Sequence, residues 1–179
     1  MKKTSLIIFV LLVLVLSSKA VFAQENDELV QPKEVMEYQL PYSGLLPDNP
    51  LYSLKIFRDK VISFLISDPL KKSEFDLLQS EKRFSAGIGL YNKGKKDLGE
   101  TTISKSINYL EEAFSKAQEA KKHGQDAHVI IDKLAVSIDK QEYLLAVLRE
   151  KNSGKTKEAI ILLGKRIADL ENKVKSLKS

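Results

Sequence analysis

All five prolines of this chain lie between Pro32 and Pro69, and the last 110 residues contain none. Interior proline breaks a helix, so a long proline-free tract rich in Lys, Glu, Leu, Ala and Ile is what a set of helices requires. Glycines punctuate the tract at Gly94, Gly124 and Gly154, spaced 30 and 30 residues apart in "NKGKK", "KHGQD" and "NSGKT". Glycine takes the left-handed conformation without a Cβ penalty, so each group reads as a turn between helices of about 25 residues.

Apolar spacing supports this division. Ile103, Ile107, Leu110, Phe114 and Ala117 step by fours and threes. So do Ile131, Leu134, Ile138, Gln141, Leu145 and Leu148, and then Ile160, Leu163, Ile167, Leu170, Val174 and Leu177. These are coiled-coil-like seams with polar residues between them. Tetratricopeptide arrays have a similar texture, but their repeat of about 34 residues holds two helices, whereas one helix fills the period here. Short turns make successive helices antiparallel. The fold class expected is all-α, an up-and-down antiparallel bundle of about five helices.

Two earlier helices start at prolines. In "PDNPLYSLK", Asp48 or Asn49 is placed to cap free amides while Pro50 occupies the first turn. Leu51, Leu54, Phe57, Val61 and Phe64 then predict a buried face. "SDPLKKSEF" repeats the device with Asp68 as cap and Pro69 at the first helical position. Leu77, Phe84, Ile88 and Tyr91 form the apolar face of that second helix. Before both lies the collar "LPYSGLLP", extended by its prolines and carrying Leu40, Tyr42, Leu45 and Leu46. It reads as a strap docked on the bundle, with Leu45, Leu46 and Tyr52 largely buried. The rival reading is an exposed binding motif.

The chain starts "MKKTSLIIFVLLVLVLSSKAVFAQE". Lys2 and Lys3 precede an unbroken apolar run from Leu6 to Leu16, and Val21-Phe22-Ala23 fits a small-x-small cleavage site. Residues 1–23 therefore read as a secretory signal peptide cleaved after Ala23. The run falls short of the ~20 residues of a bilayer span, and an uncleaved anchor is the alternative. No cysteine follows, which excludes a bacterial lipid anchor. Residues 24–47 read as an extended acidic and proline-rich strap, and residues 48–179 as the helical domain.

Processing changes the charge argument. The chain has 29 Lys+Arg and 24 Asp+Glu; the signal removes Lys2, Lys3 and Lys19 and no acid, leaving 26 against 24. The basic balance is thus poor support for nucleic-acid binding. Charge is nonetheless polarised, with a net −5 over residues 24–48 and +5 over residues 149–179. Zero cysteine in an exported chain means that no disulfide assists the fold and no thiol chemistry is on offer.

At "LPDNPLYSLK" the chain resembles an uncharacterised family of exported bacterial proteins, a domain of unknown function with a Leu-Pro-Gly-Asp-Pro-Leu-Tyr-Pro-Leu-Lys-like start. The matching residues are Leu46, Pro47, Pro50, Leu51, Tyr52, Leu54 and Lys55, with Ser53 in place of the second proline. "EKRFSAGIGLYNKGKKDLGETTISKSINYLEEAFSKAQEA" resembles the helical pair that follows, and the likeness covers roughly residues 40–122. The resemblance implies a small helical domain behind a signal peptide or membrane anchor. It implies no catalytic residue.

The reactive constellations are weak. "NSGKT" holds the Gly-Lys-Thr of a phosphate-binding loop, but Arg149 stands where the pattern needs glycine, and a helix rather than a strand precedes it. His123 and His128 are the only histidines; five apart across Gly124, they make a poor metal pair even with Glu119 and Asp126. Glu111 and Glu112 are adjacent on a helix and point to different sides. No catalytic, cofactor-binding or metal-ligating residue is assigned, no cofactor is expected, and the chain is expected not to be an enzyme.

Lys165, Arg166, Lys173, Lys175 and Lys178 line the polar side of the last helix. Such a run is ordinarily a solvated face; its functional reading is attraction to anionic polymers or lipid headgroups. The function expected is a non-catalytic extracytoplasmic helical interaction, scaffold or sensory module. The alternative is a peripheral envelope-binding protein that uses the basic last helix. The partner is then a protein or an anionic envelope component. A homodimer through the C-terminal helices follows if the last seam finds no cover within its own chain.

Overall fold

The turn glycines divide the chain where their spacing predicts. The computed structural model describes residues 37–178. The segment read as an export signal and most of the segment read as an acidic strap lie outside these residues. Five helices follow in order: α1 (Tyr52–Leu65), α2 (Pro69–Asn92), α3 (Lys96–Lys122), α4 (His128–Glu150) and α5 (Gly154–Lys178). The described residues contain no strand. The molecule is an all-α helical bundle.

Local chemistry sets the boundaries. Asp68 caps α2, its Oδ1 accepting from the Lys71 amide at 2.8 Å, with Pro69 at the first turn. Gly94, at φ +75°, ends that helix. Its N–H donates to the Tyr91 carbonyl and the Lys95 N–H to that of Leu90, both at 2.9 Å. Gly124, at φ +76°, closes α3 with the same pair of bonds, to Lys121 and Ala120. Gly154 differs from expectation. At φ +58° it is the first residue of α5 rather than a cap on α4. Asn152 performs that capping, its Nδ2 donating to the Leu148 carbonyl at 2.8 Å.

Side-chain bonds fix the helix directions. Ser73 Oγ donates to the Ala113 carbonyl near the start of α2 and the end of α3, so these two run antiparallel. Lys178, at the end of α5, meets Asp132 in the first turns of α4, and Lys121 reaches the Leu177 carbonyl. Hence α4 and α5 are antiparallel, whereas α3 and α5 run the same way. The topology of α2–α5 is up-down-up-down, as the short turns require.

The three seams read from sequence all point inward. Ile103, Ile107, Leu110, Leu134, Ile138 and Ile167 are fully buried, and Leu177 is partly so. Each such side chain contributes about 1.5–3 kcal/mol relative to exposure. A polar position interrupts the α4 seam. Gln141, with no exposed surface, donates to Ser137 Oγ at 3.2 Å and Ser80 Oγ at 3.4 Å. A buried amide that must find these partners penalises a slipped register between α2 and α4.

Helices α2 and α3 approach closely where Gly87 and Gly99 face each other. A Cβ on Gly87 would lie 2.4 Å from Ile103 Cγ1 and 3.1 Å from the Gly99 carbonyl oxygen. One on Gly99 would lie 2.7 Å from the Tyr91 ring. Absence of both side chains lets the backbones meet. Burial there pushes the Tyr91 hydroxyl pKa up to about 12.

Helix α1 departs from expectation. Leu51, Leu54, Phe57, Val61 and Phe64 predict its buried face, yet all five are exposed, with Phe64 87% accessible and Phe57 69%. The one fully buried residue of α1 is Asp59. The bundle core is completed by α2–α5, and α1 lies against its outside with its apolar stripe turned away.

Candidate interaction surface

The orientation of α1 is set by polar contacts. At about 100° per residue, Tyr52, Ile56, Asp59 and Ser63 share one face, and these, with Lys55 at its edge, are the buried or half-buried positions of α1. Asp59 Oδ1 accepts from Arg58 Nη2 at 2.8 Å, and its Oδ2 lies 3.9 Å from Arg83 Nη2 on α2. Arg83 is itself 5% exposed. Its guanidinium stacks over the Tyr109 ring of α3 at 4.2 Å and donates to the Gln79 carbonyl at 3.2 Å. A buried Asp59 would be costly unless α1 kept it next to this guanidinium, so the pair fixes which side of α1 faces the bundle.

The collar is tied to the same place. Lys55 Nζ donates to the Ser43 carbonyl at 2.6 Å and sits 5.6 Å from the Tyr52 ring centre. Burial holds the Lys55 pKa below its ordinary value, and the charges of Arg83, Lys82 and Arg58 add to that effect. Leu46 packs over Gly89 of α2, which has no side chain to obstruct it. Asp48 does not cap α1. It pairs with Lys95 at 2.9 Å and Lys93 at 3.3 Å on the α2–α3 turn, and these bonds lower its pKa. Asn49 Oδ1 accepts instead from the Leu51 amide at 2.9 Å. Further back, the Tyr38 hydroxyl donates to the buried Glu81 carboxylate. Burial raises the pKa values of both groups.

The strap therefore docks only in part. Leu40 packs against the core, and Leu46 and Tyr52 are half-buried. Leu45 and Tyr42, expected to be covered, are 41% and 87% exposed. Of the motif residues, Leu46, Pro47, Tyr52 and Lys55 join collar to bundle, whereas Pro50, Leu51 and Leu54 face outward. The motif thus supplies both contacts between collar and bundle and one end of an open apolar face.

The opposite face of α1 carries Leu54, Phe57, Val61, Phe64 and Leu65, a stripe as regular as any in the core. Arg58, with 64% of its side chain exposed, borders it on one side and the exposed Lys60 on the other. The only acid of α1 is the inward Asp59. Leu54, Phe57, Val61 and Phe64 are the face that the spacing predicts, here turned outward rather than inward, and Leu65 extends it. The signal that spacing passes over is Asp59, whose burial requires a specific cation.

The basic residues of α5 are placed differently from one another. Arg166 Nη2 donates to Glu111 at 2.9 Å and to Asn108 at 2.8 Å on α3, so it clamps two helices. Lys175 pairs with Glu171 at 2.8 Å, and Lys178 with Asp132 at 3.2 Å. Lys165 and Lys173 are exposed. Asp139 and Glu142 on α4 are half-buried, and burial raises both pKa values, with Glu171 adding to the effect. A shallow groove of about 510 Å³ lies between α4 and α5 beside Tyr143, Arg149 and Gly164. His128 Nδ1 lies 3.3 Å from Asp132, and no group of three or more potential metal ligands occurs among the described residues. No helix among them is long and apolar enough to cross a membrane.

Comparison with curated proteins and with solved structures returns no match. A family profile does match, from Gly44 in the collar to Asn172 in α5, which extends the likeness seen at the collar and the α2–α3 pair across all five helices. By that match over residues 44–172, the chain belongs to the family described as Domain of unknown function (DUF5667).

Proposed function

We propose that the chain is a non-catalytic helical interaction module acting outside the cytoplasm, with α1 as its presented element. The observation that carries this reading is the inverted helix. An apolar stripe from Leu54 to Leu65 faces outward while a buried ion pair holds the other side. An exposed contiguous apolar face on a folded domain marks a binding surface. The extracytoplasmic assignment rests on Lys2, Lys3, the Leu6–Leu16 run and the Ala23 site.

The alternative, a peripheral envelope-binding role for α5, draws on Lys165 and Lys173. Its other three cations already have carboxylate partners in Glu111, Glu171 and Asp132. That pairing favours α1 over α5 as the working surface.

The test places a photo-crosslinking amino acid at Leu54 or Phe57 in cells and a control at Leu163 in the core. Discrete adducts at the α1 positions, and none at Leu163, are expected. Equal absence of adducts at all three positions would contradict an interaction role for α1.

A further inference from the structure

We infer that the occupant of the α1 face is an anionic lipid bilayer surface, on which α1 lies flat with its stripe in the headgroup–acyl boundary. This rests on the interaction-module reading above and names its partner. Three observations support it.

The stripe contains two phenylalanines and a leucine at 69–87% exposure, with Leu54 at 66%. Interfacial helices present such aromatic and aliphatic side chains to the acyl boundary. Cations stand at its edges. Arg58 and Lys60 flank the stripe. The Arg58 guanidinium is held on Asp59 Oδ1 at 2.8 Å. The exposed Lys60 has no carboxylate partner on α1 and can run its stem along apolar surface with its charge at headgroup level. The face also offers no exposed carboxylate from α1, because Asp59 is turned to Arg83. An anionic surface answers both demands, apolar and electrostatic.

Geometry allows the helix to lie flat. Residues 52–65 give a helix of 14 residues, about 21 Å long, which suits the plane of the interface and is too short to cross the hydrocarbon core. The bundle holds α1 by its polar side, so insertion of the stripe exposes no core residue.

The chain has no cysteine, which permits a single environment-sensitive probe. Full-length Phe64→Cys, labelled with a bimane, is mixed with phosphatidylglycerol/phosphatidylcholine vesicles that carry a brominated lipid. Leu162→Cys on α5, where the native residue is 63% exposed, serves as control. A probe on α1 reports that helix alone, whatever the Leu6–Leu16 run does. The expected result is a blue shift and quenching at position 64 on anionic vesicles, with none at position 162. Lys60→Gln, which leaves the Arg58–Asp59 pair in place, should weaken vesicle affinity by about 5-fold, the effect of one cation near an anionic surface.

No response at position 64 on anionic vesicles overturns the lipid assignment. If the shift instead grows with protein concentration in lipid-free buffer, a second copy is the occupant, and the interaction-module reading stands without the lipid. If position 64 is already shielded in dilute lipid-free monomer, the face is covered by its own chain, and both readings fail.

Discussion

Helices α1 and α5 carry the same apolar pattern and put it to opposite uses. On α5, Ile160, Leu163, Ile167, Leu170 and Val174 are buried against the bundle. On α1, Leu54, Phe57, Val61 and Phe64 repeat the three-four step and are exposed. The difference lies in what each helix has opposite its seam. Behind the α5 seam are charges such as Lys165 and Lys173 that water can solvate. Behind the α1 seam is Asp59, with a buried guanidinium waiting on α2. A seam therefore states that an apolar face exists, and the residue on the other side decides whether the fold or a partner covers it.

The largest effect expected from this contrast is on stability. Ile167→Ala should cost about 2–5 kcal/mol by loss of buried surface and the cavity left behind. Phe64→Ala, a bigger truncation, should stay within about 0.5 kcal/mol. Urea titration of the two variants reads the difference directly, and a comparable loss for Phe64→Ala would place α1 in the core.

Next in size is the anchor of α1. Asp59→Ala removes the carboxylate that lies 3.9 Å from Arg83, an electrostatic contact rather than a hydrogen bond. It should weaken docking of α1 by about 1–3 kcal/mol, the cost of leaving a buried group without its partner. Amide exchange should accelerate across residues 52–65 while α2–α5 keep their protection. Acceleration spread evenly over the bundle would show that α1 and core form a single cooperative unit.

Glycines sharpen the comparison between packed and open faces. Gly87→Ala sets a Cβ against Ile103 and the Gly99 carbonyl. Overpacking of about 1–3 kcal/mol outweighs the gain in helix propensity, for a net loss of about 1 kcal/mol. Gly164 of α5 meets nothing within 4 Å, so Gly164→Ala should stabilise by up to about 1 kcal/mol. Thermal melts that move in opposite directions are the expected outcome.

The smallest effect is on pH. Asp76, Glu81, Asp139 and Glu142 all have raised pKa values, with burial the leading cause. Between the ordinary carboxylate range and these raised values, the folded chain binds more protons than the unfolded one. The stability they contribute is complete below the unfolded pKa and is lost as pH rises through the folded values. Asp48, Asp68 and Glu119 shift down and act in the opposite sense, at still lower pH. Melting temperature should thus fall as pH rises from the ordinary carboxylate range toward neutrality, and Asp139→Asn should reduce that fall. A melting temperature that instead rises steadily over that range would contradict the burial assigned to the four groups.

Much of the fold was legible because the α3, α4 and α5 seams are long, unbroken by proline and bounded by turn glycines. Gln141 was readable as a seam position since its spacing outweighed its polarity. The buried polar face of α2 was not. Ser73, Asp76, Gln79, Ser80, Glu81 and Arg83 look like a solvated stretch, and only tertiary partners such as Tyr38, Asp59 and Tyr109 bury them. Gly87 and Gly99 gave no signal either, because close approach of two backbones is a property of the pair. The candidate surface was half legible. Its residues could be found by periodicity, but its direction depended on a long-range ion pair.

The most direct test of the outward α1 face uses the cysteine-free background. Single cysteines at Phe57 and at Ile167 are exposed to a thiol reagent in the native, lipid-free protein. Position 57 should be modified at close to the rate of an unfolded control, with position 167 protected by orders of magnitude. Protection at position 57 as strong as at position 167 would contradict the outward α1 face.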